Sequence, residues 1–342
     1  WEDRVFISGA NENENAVFCY SVPTGELLWK GDATNLPGST GKEVQVFQDT
    51  GYAASTMATD GERVFAIFAD GNLICFDYDG NRVWGKNMGV PDSIYTFATS
   101  LAIYQDLLLL QFDQGVEDDD LSSMIAMNVE TGQVVWQQPR PVANSWTSPV
   151  IVDTLDGVQL LTSSEPWNIS YRPDTGEELW RAKLMGTDLA PSPVYANGLA
   201  FFTQPNEAVF AIKVDGRGDV TESHLAWRVD TPAPEISSPI CTDKHIFLLA
   251  SMGLISCHDT ETGELVWEHE IEDYFQSSPV LVGEWMYMLA ESGKTYRVKA
   301  GGEVEIAEEV PFIDEWLKAS PAFLDGKIFI RGDKNLYCIG NP

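Results

Sequence analysis

The chain has 342 residues, of which 44% are apolar and 11% aromatic, enough for a large core. It carries 21 basic and 52 acidic residues, a net charge of −31, and such a field repels nucleic-acid phosphates and anionic lipid headgroups. We therefore expect no nucleic-acid partner, and since no stretch is long and apolar enough to cross a bilayer, no transmembrane segment.

The first predicted elements are three short strands within residues 4–29, which end in the segment TGELLW at Trp29. Because the chain opens inside this pattern, we expect that an N-terminal piece of the protein has been removed. Six fuller units follow between about residue 53 and residue 309. Each begins with a small Ser/Pro cluster and continues through four short strands, A to D, separated by Gly, Asp and Asn turns. Residues 319–339 supply strands A, B and C of a last unit.

The landmark that recurs is a Trp at the end of strand D, at spacings of 55, 52, 44, 47 and 40 residues. Four short strands per unit at this spacing are the sequence signature of β-propeller blades. The Trp residues in this position are Trp29, Trp84, Trp136, Trp180, Trp227 and Trp267.

The number of strands predicts the number of blades. Six complete units and two units of three strands give 30 strands, and eight blades of four strands would need two more. The two missing strands would be contiguous just before Trp1, so we expect the terminal strands to share the closing blade, which removes exposed edges. We predict an all-β, eight-bladed β-propeller of four-stranded antiparallel blades, forming a single domain over residues 1–342, with seven blades as the alternative.

The A-to-D pattern with its TGELxW segment resembles the PQQ-type propeller repeat family. Members occur among quinoprotein alcohol dehydrogenases and as the propeller lipoprotein of the bacterial outer-membrane β-barrel assembly machinery. The resemblance implies a bacterial, extracytoplasmic protein, periplasmic or secreted. It also implies that the strand-D Trp residues dock between neighbouring blades. A shared fold does not by itself imply a shared function.

Quinone-binding members of that family are typified by adjacent cysteines over the cofactor. Here the five cysteines are separate, and four occupy the same strand-C position, as expected of a small buried site. They are Cys19, Cys75, Cys241, Cys257 and Cys338. We therefore expect no cofactor, neither PQQ nor calcium. A PQQ- and calcium-dependent oxidoreductase acting on alcohols or sugars remains the alternative.

Other chemistry has little support in the sequence. The four histidines lie in or beside strands without a nucleophile elbow, and no zinc-ligand spacing is present. The acidic run Asp118, Asp119 and Asp120 could hold calcium in a flexible loop, but it lacks the spaced ligand pattern, so we interpret it as a solvated charge run and predict no metal site. Asp188 and Glu235 could be paired carboxylates of a glycan-processing enzyme, which is the second alternative.

The longer connections fall on one face of the predicted propeller. In a four-stranded meander, the D–A connections and B–C tips share a face, and these carry the insertions, such as residues 31–52 and 113–123. Because recognition residues concentrate in such loops, we predict a non-catalytic binding or scaffold propeller that recognises a protein or a glycan through this face. We expect a monomer.

Strand A lines the central channel in propellers, so the residues before it should ring the channel mouth. Aromatic side chains with convergent polar groups suit a peptide, a partner loop or a carbohydrate. The predicted binding residues are Tyr52, Phe97, Trp146, Trp167, Asp188, Glu235, Tyr274, Gln276, Trp316 and Lys318.

Overall fold

A computed structural model describes residues 1–41, 44–47, 50–310 and 313–340, without the side chains of 308–310. The chain divides into two compact units. The first comprises Trp1–Asp153 with Gly157–Thr187, and the second comprises Thr154–Asp156 with Asp188–Pro342.

The first unit consists of antiparallel sheets whose strands follow one another in chain order. The first sheet holds β1 (Arg4–Ala10), β2 (Asn15–Ser21) and β3 (Leu27–Asp32). The second holds β4 (Ala58–Thr59), β5 (Arg63–Ile67), β6 (Asn72–Asp77) and β7 (Arg82–Asn87). The third holds β8 (Ala102–Tyr104), β9 (Leu107–Phe112), β10 (Ser123–Asn128) and β11 (Val134–Pro139), with a 3₁₀ helix at Glu117–Asp119. The fourth holds β12 (Val150–Thr154), β13 (Gly157–Ser163), β14 (Trp167–Tyr171) and β15 (Glu178–Lys183).

The second unit repeats the pattern. Its first sheet holds β16 (Val194–Ala196), β17 (Leu199–Gln204), β18 (Ala208–Lys213) and β20 (Leu225–Asp230). The short β19 (Gly218–Asp219) lies between β18 and β20 in the chain and is not a strand of this sheet. The next holds β21 (Ile240–Cys241), β22 (His245–Leu249), β23 (Leu254–Asp259) and β24 (Leu265–Glu270). The last two hold β25 (Val280–Val282), β26 (Trp285–Leu289), β27 (Thr295–Lys299) and β28 (Ile306–Val310), then β29 (Ala322–Leu324), β30 (Lys327–Arg331) and β31 (Leu336–Gly340).

The described ranges thus contain eight sheets, six of them with the four meandering strands of a blade and the first and last with three. The protein is an all-β, eight-bladed β-propeller. The predicted fold class is confirmed, and the seven-bladed alternative is wrong.

Most blades bury their middle strands and leave strand D more exposed, whereas strand D of the fourth sheet, β15, is largely buried. All six residues of β9 are buried, as its continuous apolar run predicts, whereas Leu27 and Leu28 in β3 are about half exposed. The exposure of Leu27 and Leu28 goes with a register shift next to the strand-D Trp, which recurs in other blades. In the second blade Cys75 faces Trp84 and Phe76 faces Arg82, so strand D has an extra residue. The residue opposite each Trp must be small, which accounts for the strand-C cysteines.

Within each unit, the loops that share one end of the blades contact one another. At one end, the D–A connections meet the B–C tips, as where Ala69 N donates to Tyr52 O at 3.0 Å and Glu291 N to Tyr274 O at 2.8 Å. At the other end, A–B turns meet C–D turns, as where Val129 N donates to Asp106 O at 2.9 Å. One connection departs from the prediction that every insertion lies at the first end. Residues 214–224, between β18 and β20, form a long C–D connection that contains β19.

The Ser/Pro cluster before strand A has a structural role. Its second residue carries a hydroxyl that accepts the backbone N–H of the equivalent residue one blade earlier. In the first unit these bonds join Thr56 to Ser100 (3.1 Å) and Ser100 to Ser148 (3.0 Å). In the second unit they join Ser192 to Ser238 (3.0 Å), Ser238 to Ser278 (2.9 Å) and Ser278 to Ser320 (2.9 Å).

Candidate functional site

The strand-D Trp residues form a recurring contact between successive blades. The indole N–H donates to a main-chain carbonyl in the C–D turn of the next blade, which satisfies the polar end of a ring that is otherwise packed against apolar neighbours. These bonds run from Trp29 to Tyr78 (2.8 Å), Trp84 to Val129 (2.8 Å), Trp136 to Pro173 (3.2 Å), Trp227 to Thr260 (3.0 Å) and Trp267 to Gly301 (2.9 Å).

The turn glycine of the next blade lies under the ring. A Cβ at Gly132, whose φ is +66°, would lie 2.7 Å from the ring of Trp84. The Gly of the TG turn is therefore required both by its left-handed backbone and by the close approach of the indole. Trp180 is placed differently, because it is fully buried and donates to Gln159 Oε1 of its own sheet at 3.0 Å.

In the first unit the predicted channel-mouth residues differ in burial. Phe97 is 3% exposed and packs on Phe112 at 4.9 Å between ring centroids, which places its side chain in the core. Tyr52 and Trp146 are half-buried. Trp167 lies within β14, where its ring receives the cations of Arg181 and Lys183 at 5.3 and 5.5 Å.

In the second unit the predicted residues also differ in exposure. Tyr274 is 55% and Trp316 59% exposed, and Asp188 is exposed with a φ of 60°. Gln276, Lys318 and Glu235 are half-buried. Glu235 uses its carboxylate locally, because Oε2 accepts the backbone N–H of Ser251 at 3.0 Å, on the tip of the β22–β23 hairpin.

The first unit exposes a group of apolar side chains on its long loops, which we call the Trp146 patch. Three aromatic rings form its centre: Tyr95 meets Trp146 edge-on at 4.7 Å and Phe47 at 5.3 Å. Four of its side chains are 47–58% exposed. The patch comprises Phe47, Ile94, Tyr95, Val116, Leu121 and Trp146.

Hydrogen bonds tie the loops of the patch together. Gly115 N donates to Asp92 O at 2.7 Å, and Asn144 N donates to Gly115 O at 3.0 Å. The Trp146 indole donates to Ser93 Oγ at 3.0 Å. A Cβ at Gly115 (φ +67°) would lie 2.6 Å from Asp119 Oδ2 and 3.3 Å from Leu121 Cδ1, so this glycine lets the loop close on itself. The loops at residues 91–96, 113–122 and 143–146 are therefore held together by hydrogen bonds.

Acidic side chains border the patch. Asp92 and the run Glu117 to Asp120 are exposed. Asp119 turns back on its own loop, where Oδ2 accepts Val116 N at 3.0 Å. Across the described residues, no three or more His, Cys, Asp or Glu side chains converge as metal ligands. Asp118, Asp119 and Asp120, the weak calcium candidate, are exposed on this loop.

A buried ion pair lies beneath the patch, and the sequence reasoning missed it. Arg140 Nε lies 2.7 Å from Asp113 Oδ1, and both side chains are 0% exposed. Arg140 also donates to Thr162 Oγ1 at 2.7 Å, Tyr171 Oη at 3.2 Å and Ser164 Oγ at 2.8 Å. Burial alone would lower the pKa of Arg140, but the charge of Asp113 and the hydrogen bonds to both partners hold it above its usual value.

The pair joins the loops that carry the patch. Asp113 begins the loop of Val116 and Leu121, and its Oδ2 accepts from Ser145 Oγ at 2.9 Å, next to Trp146. Gln111 Nε2 donates to the same Oδ2 at 2.8 Å. Arg140 N donates to Ser122 O at 3.0 Å at the far end of the loop. The sequence feature that could have indicated this pair is Arg140 itself. It lies in a segment typical of a loop, and no acidic residue is near it in the chain.

The second unit has a cleft of about 350 Å³ beside Trp316. Glu315 is fixed there, since its carboxylate accepts Tyr337 Oη at 2.6 Å and Lys334 N at 2.8 Å. These hydrogen bonds lower the pKa of Glu315 to about 2. The cleft is lined by Glu291, Ser292, Asp314, Glu315, Trp316, Asp333 and Lys334.

The comparison with known families decides the relationship. The family model described as "Outer membrane protein assembly factor BamB" matches residues 2–164 and 167–339. The chain belongs to this family.

Relatives named BamB are distant in sequence. The protein from Moranella endobia (strain PCIT) is 24% identical over 282 residues, 75% of this chain and 65% of that protein. The protein from Legionella pneumophila (strain Paris) is 22% identical over 218 residues, 60% of this chain and 51% of that protein. The aligned part thus spans about half to two thirds of these relatives. The crystal structure of BamB from Moraxella catarrhalis matches with a TM-score of 0.68 and 12% identity, covering 97% of this chain and 95% of that one, which shows a shared fold.

Three of the five cysteines of this BamB-family chain are buried, and no two are adjacent in the sequence. Cys75 and Cys257 are buried opposite strand-D Trp residues, and burial raises the pKa of both thiols to about 12. Burial raises the pKa of Cys241 to about 11. These thiols stay protonated at neutral pH, and those of Cys75 and Cys257 fill small core positions.

Proposed function

We propose that the chain is a non-catalytic, extracytoplasmic propeller that binds a protein partner during outer-membrane protein assembly. One observation carries the proposal: a chain of the BamB family presents an exposed apolar patch on loops that are hydrogen-bonded into a single surface. Exposed contiguous apolar side chains on a stable monomer are typical of interaction sites. The patch fits recognition because it lies on loops held by a rigid scaffold.

The charges also support binding over catalysis. The Arg140–Asp113 ion pair of the first unit is fully buried and therefore inaccessible to a substrate. Among the described residues, no helix is long and apolar enough to cross a membrane. We further propose that the chain is monomeric and works without PQQ or calcium.

Co-purification from the native host tests the proposed function. The tagged chain should recover components of the outer-membrane assembly machinery in stoichiometric amounts, as measured by quantitative mass spectrometry, and light scattering should give the monomer mass of 37.9 kDa. Recovery no higher than that of an unrelated secreted propeller would refute the proposal.

A second assay addresses the oxidoreductase alternative. The purified chain is mixed with PQQ and calcium, and dye reduction is followed with alcohols and sugars. The proposed function predicts no shift in quinone absorbance and no turnover above free PQQ. Saturable turnover would make the oxidoreductase the correct assignment.

A further inference from the structure

We propose that the Trp146 patch docks a partner segment in which an apolar side chain is flanked by lysine or arginine. This inference rests on the proposed function and specifies its surface and the chemistry of the partner.

Apolar side chains of the Trp146 patch are accessible to a partner. Phe47, Ile94, Val116 and Leu121 are 53, 56, 58 and 47% exposed, although they belong to three different connections. Scattered exposed apolar residues are ordinary. Here a hydrogen bond from Gly115 N to Asp92 O joins the connection of Ile94 to that of Val116 and Leu121, and Phe47 is joined to them by the contact of its ring with Tyr95. Trp146 and Tyr95 at the centre supply the large, rigid rings that dominate binding energy at protein interfaces. An apolar side chain of the partner would fit against these rings.

The border of the patch is acidic. The loops at residues 91–96, 113–122 and 143–146 contain five exposed carboxylates, Asp92 and Glu117 to Asp120, and no lysine or arginine. An acidic segment would be repelled by these loops, whereas a basic one would be attracted and steered towards them. The net charge of −31 extends the same preference to long range.

Hydrogen bonds hold the loops of the patch in place before a partner binds. The Arg140–Asp113 pair holds both ends of the loop at residues 113–122, through Ser122 and through Asp113 itself. Trp146 is fixed by Ser93 and by the bond of its neighbour Ser145 to Asp113. A surface that is already ordered loses little conformational entropy on binding.

The experiment measures fluorescence anisotropy of the full chain with a labelled peptide, Lys-Lys-Leu-Phe-Leu-Lys-Lys. Two peptide controls replace every Lys by Glu, or every apolar residue by Ser. The protein variants are Trp146→Ala and Ile94→Ser in the patch, and Asp118→Asn with Asp120→Asn at its border. Trp316→Ala in the cleft and Val135→Ala on β11, 55% exposed, are the matched controls.

We expect the basic apolar peptide to bind and both control peptides to bind at least about tenfold more weakly. Trp146→Ala should weaken binding about tenfold and Ile94→Ser about threefold. The double Asp→Asn variant should flatten the salt dependence. Trp316→Ala and Val135→Ala should leave the affinity unchanged. Equal affinity for the Glu-containing peptide, or an unaltered affinity in both Trp146→Ala and Ile94→Ser, would overturn the inference.

Two further measurements distinguish a failure of the patch assignment from a failure of the proposed function. A neutral chito-oligosaccharide is titrated against 5-fluorotryptophan-labelled protein, and a shift of the Trp146 fluorine signal would assign the patch to glycans and overturn the inference. The Trp146→Ala variant is also carried through the co-purification from the host. Full recovery of assembly components by this variant would overturn the patch assignment while the proposed function stands. If the wild-type chain recovers none, the proposed function itself is wrong.

Discussion

Replacing Arg140 by methionine would leave the carboxylate of Asp113 buried without its cationic partner. The wild-type guanidinium bridges Asp113 at 2.7 Å and donates to Thr162, Tyr171 and Ser164, all fully or almost fully buried. Removing one member of a buried ion pair costs about 3–5 kcal/mol, because the remaining charge is neither solvated nor paired.

The loss of unfolding free energy in Arg140→Met can be converted into a decrease in melting temperature. With about 2.1 cal/mol/K of unfolding entropy per residue, cooperative unfolding of 342 residues gives a Tm decrease of about 4–7 °C. Differential scanning calorimetry measures this, and hydrogen exchange should show faster exchange in peptides 113–122 and 140–146 than elsewhere.

The double variant Arg140→Met with Asp113→Leu is the control. It removes both charges, so it should be more stable than Arg140→Met alone. A loss below about 1 kcal/mol in the single variant, or a double variant that loses the sum of both single changes, would refute the claim that an unpaired buried charge sets the cost.

Three further predictions concern other parts of the molecule. Gly132→Ala should lower the free energy of unfolding by clearly more than Gly25→Ala in urea titrations. Both have a left-handed φ, but only the Cβ at position 132 would meet the Trp84 ring, while nothing lies within 4 Å at Gly25; equal losses would dispose of the docking explanation. Because the pKa of Glu315 is lowered to about 2 from a usual 4.5, its ionised form stabilises the fold above pH 4.5, and this contribution disappears as the pH falls towards 2. Wild type and Glu315→Gln should therefore differ in Tm at pH 7 and converge near pH 2, and a constant difference would contradict this. Cys338 is exposed and Cys19, Cys75 and Cys257 are buried, while Cys241 is half-buried with a thiol pKa raised to about 11 by burial. One thiol should therefore react rapidly with Ellman's reagent in the native state and all five in guanidinium, and several rapid thiols would count against the described packing.

Much of the fold could be predicted because the blade repeats its own chemistry. The Trp spacing and the Ser/Pro cluster predicted the number of blades, and the three-stranded first and last sheets agree with the strand count. The Gly of the TG turn and the Trp of the preceding blade depend on each other, so both recur. The long connection at residues 214–224 was not anticipated, since its Gly- and Asp-rich sequence reads as ordinary turn.

The site was harder to predict for a physical reason. Loop position can be read from the sequence, but the direction of a side chain within a loop depends on single-residue register. Phe97 and Trp146 both precede strand A, yet one packs in the core and the other lies at the surface. Tyr95 and Phe47 were missed because their contacts join distant loops. The Arg140–Asp113 pair was missed because a buried charge has no periodic pattern.

Outer-membrane protein assembly in the native host gives the most direct measurement of the central claim. A strain lacking this protein is complemented with the wild type, with Trp146→Ala/Ile94→Ser, or with Val135→Ala, each matched in abundance and Tm, and the rate at which newly made outer-membrane proteins become protease-resistant is followed by pulse labelling. We predict that wild type and Val135→Ala restore the rate and that the patch variant does not. Full restoration by the patch variant, or none by the wild type, would contradict the account of a propeller that acts by binding a partner through this surface.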